Sequence, residues 1–202
     1  EIVKEPGFAL WHAADVTFAR PTASFYVSIR SPNANDTPRH AVLTRLFVAM
    51  INEMLVKPLY PASVAGLGLS VYPHLRGLSM RVHGYSDKHA LLVRQAVDAM
   101  RSPVFELGTF ERVREALTRG WANRALDDPY SQAMATLHNY LLDPHWTPAQ
   151  LLGASEDIKL ADLQAFVDKL FESIDVVALS HGNVKATTAL EIAEQVRSTL
   201  LK

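Results

Sequence analysis

Thr22-Ala23-Ser24-Phe25-Tyr26-Val27-Ser28-Ile29-Arg30 is the stretch that decides the fold class. Ala23, Phe25, Val27 and Ile29 alternate with polar or amphipathic residues, the period-2 pattern of a strand with one buried face. A strand of this kind needs an apolar layer against it, and the next segment supplies one. After a loop rich in Asn, Asp and Pro (31–38), Thr37-Pro38 combines an N-cap with proline at the first helical position. Val42, Leu43, Leu46, Phe47, Met50, Ile51 and Met54 then recur at helical spacing, a broad stripe made for packing on a sheet. Pro58 is expected to stop this helix, with a short helical turn from Pro61 to Ala65 after it.

Working outward, residues 8–12 (Phe-Ala-Leu-Trp-His) read as a short strand. Leu67, Leu69 and Val71 alternate on one arm of an expected hairpin, and Leu78, Met80 and Val82 on the other, with Pro73 to Gly77 as the turn. Ser86 is the expected cap of a helix whose inner face is Leu92, Val93, Ala96, Val97 and Met100. Thr109 is the expected cap of another that runs to about Leu126. Asp128-Pro129 starts a third, with Tyr130, Met134, Leu137 and Leu141 inward, and Thr147-Pro148 and residues 160–172 give two more. Ile174 to Ser180 returns to a strand that leaves through Gly182-Asn183. A last helix carries Ala189, Ile192, Ala193, Val196 and Leu200. The expected fold is α+β: a mostly antiparallel sheet of about five strands with helices packed on one face. No repeat or Gly/Ser linker divides the chain, so 1–202 reads as one domain.

Composition narrows the function classes. The chain has 202 residues, of which 49% are hydrophobic and 20% charged, an ordinary globular balance. The net charge of −1 provides no basic excess to neutralise phosphates, which argues against nucleic acid as a partner. Neither a polybasic run nor a spanning apolar stretch points to a membrane. With no cysteine, disulfides, thiolate metal sites and a cysteine nucleophile are excluded. Glu1 to Pro6 lacks the basic lead and apolar core of a signal peptide and lacks an initiator methionine, and the expectation is a chain excised from a larger protein.

Several short pieces, in order, carry a family resemblance. Leu10-Trp11-His12 is followed by Asp15, Phe18, Pro21 and Ala23, and then by Ala41-Val42-Leu43-Thr44-Arg45-Leu46-Phe47-Val48. Gly77-Leu78-Ser79, Gly84-Tyr85-Ser86-Asp87-Lys88, Pro129-Tyr130-Ser131-Gln132, His145-Trp146-Thr147, Leu160-Ala161-Asp162-Leu163 and His181-Gly182-Asn183 continue the series. Together they resemble the middle, third domain of zinc peptidases of the insulinase/pitrilysin type. The resemblance implies a parent zinc metalloendopeptidase of four such domains, closing in two halves around a chamber that traps peptides. It implies that zinc and the catalytic glutamate come from a His-x-x-Glu-His motif in the first domain, so that this chain binds no cofactor of its own. The implied partners are the other domains of the parent and a peptide substrate. The implied compartment is the bacterial periplasm, with the cytoplasm as the alternative.

The residues agree that the chemistry lies elsewhere. Hydrolytic zinc needs two imidazoles one helical turn apart on a single face, beside a carboxylate. The eight histidines are His12, His40, His74, His83, His89, His138, His145 and His181, and no two stand three or four positions apart. At His40 the positions of the glutamate and second histidine hold Leu43 and Thr44. His181, at a strand end, reads as a structural residue that hydrogen-bonds nearby backbone. Ser180-His181-Gly182 is no nucleophile elbow, and Gly66-Leu67-Gly68 is a turn rather than a dinucleotide loop. Asp127-Asp128 reads as helix capping, and Glu111 and Glu115 as a solvated face shared with Arg112, Arg114 and Arg119. Trp11, Trp121 and Trp146 read as core or interface anchors. Arg76 in the hairpin turn and Tyr85 after it are the candidates to face a peptide chamber. The family's own substrate-holding arginine and tyrosine belong to its last domain, and no motif carries that role to these two. A catalytically inactive homologue acting as a scaffold or partner subunit is the competing reading. An excised domain should also expose apolar surface and self-associate.

Overall fold

The computed structural model describes residues 1–18 and 20–201. The strands are β1 (Val3–Glu5), β2 (Phe8–Ala14), β3 (Thr22–Arg30), β4 (Gly68–His74), β5 (Gly77–Tyr85) and β6 (Asp175–Gly182). They form one six-stranded sheet in the order β1-β2-β6-β3-β5-β4. Only β2 and β6 run parallel; every other neighbouring pair is antiparallel. The last strand of the chain therefore enters the middle of the sheet, between β2 and β3. The helices are α1 (Pro38–Val64), α2 (His89–Arg101), α3 (Leu107–Asn123), α4 (Pro129–Leu141), α5 (Pro148–Ser155), α6 (Leu160–Phe171) and α7 (Ala186–Leu200).

The alternation in β3 turns into a two-sided sheet. Ala23, Phe25, Val27 and Ile29 are buried under the helices, while Ser24, Tyr26 and Ser28 are half-buried on the opposite face. Each fully buried Phe, Val or Ile contributes roughly 1.5–3 kcal/mol of apolar transfer. Leu78, Met80 and Val82 of β5 and Val176 and Ala178 of β6 extend the same buried layer. The helix α1 fills the centre of the helical layer, and its Phe47 meets the rings of Phe105 and Phe171 edge-on at 6.4 and 5.9 Å.

Four helices are capped by side chains at their first turns. Thr37 accepts from the His40 N–H at 3.1 Å, Asp128 from Ser131 at 3.0 Å, and Thr147 from Gln150 at 3.2 Å. At α6 the Asp162 carboxylate reaches back to the Lys159 N–H at 2.8 Å.

Several expectations need correction. A sixth strand, β1, pairs with β2 through the Pro6-Gly7 turn, with Gly7 at φ +75°. Val-Lys-Glu is too short to show alternation, and the Pro-Gly pair was its one signal. Pro58 does not stop α1, which runs for 27 residues through Pro58 and Pro61. Beyond Val56 this helix is largely exposed, so carbonyls that lose an N–H partner to proline remain within reach of water. Pro73 is not in the turn: it pairs with Leu78 on the edge strand β4, where a missing N–H on the open side breaks no ladder bond. Ser86 opens a single 3₁₀ turn (Ser86–Lys88) and makes no capping bond. Thr109 lies inside α3, which begins two residues earlier at Leu107. Tyr130, Leu137 and Leu141 are not inward but exposed, and no residue of α4 is buried. Among the described residues no helix is long and apolar enough to cross a membrane.

Candidate functional site

The helix-free face of the sheet gathers the side chains that the sequence left without a role. Register sets them in rows across the strands. One row runs from Trp11 through Leu179, Tyr26 and Arg81 to Ser70. Trp11 is 48% exposed and Leu179 39%, so this row offers apolar surface to solvent. The Arg81 guanidinium lies over the Tyr26 ring at 5.2 Å, a cation–π contact that holds both side chains flat on the sheet. A second row carries Ala13, His181, Ser24, His83 and Gly68, and a third carries Ala9, Val177, Ser28, Ser79 and Tyr72. At the end of the sheet, Asp175, Arg30, Gly77 and His74 complete the face.

That end has a defined hydrogen-bond chain. The Arg76 backbone N–H donates to Nδ1 of His74 at 3.1 Å, so Nδ1 is an acceptor and the proton of the neutral ring sits on Nε2. Nε2 stands 3.2 Å from Ser28 Oγ and donates to it, which leaves the Ser28 hydroxyl proton free for another acceptor. Burial pushes the His74 pKa down from its ordinary value; the Leu78 backbone partly offsets this, and the nearby Arg30 charge adds to it. Arg30 meets Asp175 at 3.6 Å across the strands, a half-exposed and weak pair.

The candidates Arg76 and Tyr85 do not come together. Arg76 lies in the turn before β5 and Tyr85 ends that strand, so about 25–30 Å of extended chain separates them. Both are exposed. The Tyr85 ring packs beside Gly66, whose added Cβ would stand 3.4 Å from it. Sequence reasoning missed Ser28, His74 and Ser79 because each is an unremarkable residue until the register places it on the open face.

The remaining candidates resolve into structural roles. Asp128 caps α4, and the Ser131 hydroxyl and backbone N–H hold its carboxyl below the usual carboxylate range. Asp127 pairs with Arg124 at 3.1 Å. Glu115 pairs with Arg119 at 2.6 Å, Arg112 reaches Glu53 of α1 at 2.8 Å, and Arg114 donates to the Ile158 carbonyl at 2.9 Å. Trp146 is half-buried and donates to the Asn35 carbonyl at 3.1 Å. His181 is exposed and makes no side-chain hydrogen bond among the described residues, contrary to the backbone contact expected of it. The rings of His138 and His145 come within 6.5 Å, and His145 is bonded to Asn139. Among the described residues no three His, Cys, Asp or Glu side chains converge as metal ligands.

Comparison with known proteins agrees with this arrangement. The family model described as the middle or third domain of peptidase M16 matches residues 1–154. The human insulin-degrading enzyme is 30% identical over 193 residues, covering 96% of this chain and 19% of that protein. A nardilysin-like protein of Arabidopsis thaliana is 26% identical over 98% of this chain and 19% of its own length. The crystal structure of pitrilysin superimposes with a TM-score of 0.91 over 98% of this chain and 21% of that one, at 21% identity. A conserved protein from Enterococcus faecalis V583 shares the fold more loosely, with a TM-score of 0.66 at 17% identity. The chain thus spans about a fifth of the length of the curated relatives it matches. With its ordered pieces, its one-sided sheet and no catalytic motif of its own, the chain belongs to the peptidase M16 family, as a non-catalytic middle domain.

Proposed function

We propose that the open face of this sheet forms part of the wall of a chamber in which a zinc metalloendopeptidase holds its peptide substrates. In this reading zinc and the general base come from another domain of the parent through a His-x-x-Glu-His motif. This chain supplies surface, and its helical side meets the other domains. The observation that carries the reading is the row of exposed Trp11 and Leu179 and half-buried Tyr26 and Arg81 on a face that no helix covers. Half-exposed aromatic and aliphatic side chains in register bind extended peptides through apolar contact, with modest sequence preference. The name of the human relative supports a peptide substrate, since it gives insulin as what that enzyme degrades. We further place the parent protein in the bacterial periplasm, a proposal that fractionation of cells would decide.

The test uses the full-length protein and a quenched fluorescent peptide. Trp11→Ala is expected to raise KM about tenfold with kcat little changed, because it removes binding shared by ground and transition states. Unchanged KM in the Trp11 variant would remove the chamber-wall reading. A parent sequence without His-x-x-Glu-His would replace the peptidase by an inactive scaffold of the same fold.

A further inference from the structure

At one end of the open face, Ser28, Arg30, His74, Leu75, Arg76 and Ser79 line a cleft of about 390 Å³. Its polar groups are unusual in sign. Two guanidiniums, two hydroxyls and an imidazole face it, and no carboxylate lines it. Arg76 has no ion-pair partner among the described residues. Ser79 is only 9% exposed and lines the cleft beside Ser28. Ser28 accepts from His74, so its own proton is available to an incoming acceptor. Asp175, 3.6 Å from Arg30, sits outside the lining; with Asp36 it lines the adjoining cleft, which Arg30 and Arg76 also border. Sheltered hydroxyls beside two exposed guanidiniums, one of them without an ion-pair partner, are complementary to a planar, doubly accepting anion.

We propose that this cleft binds a carboxylate of the peptide substrate, with Arg76 and Arg30 pairing its charge and the Ser28 and Ser79 hydroxyls donating to its oxygens. The inference rests on the open-face reading above and gives that face a chemical preference at one end. The carboxylate can come from an acidic side chain or from the peptide's C-terminus, and the experiment separates the two.

The test measures equilibrium binding by fluorescence anisotropy to the full-length protein, with a metal chelator present so that peptide is not consumed. Three peptides of equal length are compared. One carries two glutamates and an amidated C-terminus, one has glutamines in their place and is amidated, and one has the glutamines and a free C-terminal carboxylate. Arg76→Gln, an exposed turn substitution, is expected to weaken a carboxylate-bearing peptide about tenfold and to spare the neutral one. Loss confined to the first peptide assigns the side-chain source, and loss confined to the third assigns the terminus. Ser79→Ala should weaken the same peptide by a smaller factor, and added salt should shrink the difference between peptides. Equal loss for all three peptides, or none for any, overturns the proposal. Trp11→Ala separates the two levels. If it weakens every peptide while Arg76→Gln discriminates among none, the carboxylate site alone fails. If it weakens none, or if the wild type binds no peptide, the open-face reading fails and the carboxylate site with it.

Discussion

His89 opens α2 with no solvent exposure, and neither ring nitrogen has a hydrogen-bond partner. Burial therefore penalises the charged ring and lowers its pKa; the neighbouring His83 adds to the shift, and the Gly84 backbone, close but outside hydrogen-bonding geometry, offsets part of it. The sign of the linkage follows. Above the unfolded value of about 6.5 both states are neutral and stability is complete. As pH falls below that, the unfolded chain takes the proton first, and stability is lost until the folded ring also titrates. His74, lowered for a similar reason, acts in the same direction. The melting temperature is expected to drop between pH 7.5 and 5, and His89→Leu to flatten part of that slope. An identical slope in wild type and variant would show that the buried ring is not the source. Gly84, near the end of β5, makes a second residue-scale demand. It sits at φ +114°, and a Cβ there would stand 2.3 Å from the Gly66 carbonyl oxygen and 2.9 Å from the Leu67 Cα. Both obstacles are backbone, so Gly84→Ala should cost about 2 kcal/mol or more, read as a lower urea midpoint.

At the scale of elements, the exposed edge of the sheet is closed by one side chain. Asn52 of α1 donates from Nδ2 to the Val71 carbonyl at 2.8 Å and accepts the Val71 N–H at 3.2 Å. Its amide thus occupies the place of a seventh strand at the centre of β4, and blunts an edge open to pairing with another chain. Asn52→Leu keeps the branched shape and removes both bonds. It should destabilise by about 1–3 kcal/mol and raise the light scattering of warmed samples. The same helix provides an opposite case. Pro58 is exposed inside α1, and Pro58→Ala restores a donor for the Met54 carbonyl. A gain of about 1 kcal/mol is expected by denaturant titration, the helix preference being partly offset by a more flexible unfolded chain. These two examples also mark what was legible in the sequence. The strand Thr22–Arg30, the stripe from Val42 to Met54 and three of the caps were readable because periodicity and capping are local. The extent of α1 past Pro58 was not, because tolerance of proline depends on whether the freed carbonyls stay wet. Strand order was equally hidden: nothing near Asp175 announces that β6 inserts between β2 and β3. The open-face cleft depends on that insertion and on the register of β3 with β5, so Ser28, His74 and Ser79 could not be grouped beforehand.

The whole molecule carries a second uncovered surface, on the helical side. Tyr130, Leu137 and Leu141 recur at helical spacing on α4 and are 74%, 45% and 68% exposed, with Tyr140 beside them at 85%. Periodicity states that such a face needs cover, and it cannot state what provides the cover. In a chain about a fifth as long as its relatives, the neighbouring domains of the parent are the occupants we propose. That assignment has two opposite consequences. In the 202-residue chain alone the face should drive concentration-dependent association, visible as a rising sedimentation coefficient. Tyr140→Lys with Leu141→Lys should abolish the association and change the chain's own stability by no more than about 0.5 kcal/mol, since both residues are exposed. In the full-length protein the same pair of substitutions would bury two charges against a neighbour and should lower its melting temperature. Trp11→Lys, on the open face, should do neither. A double variant that is silent in the full-length protein would mean that α4 faces solvent there too, and that the domains meet through another surface.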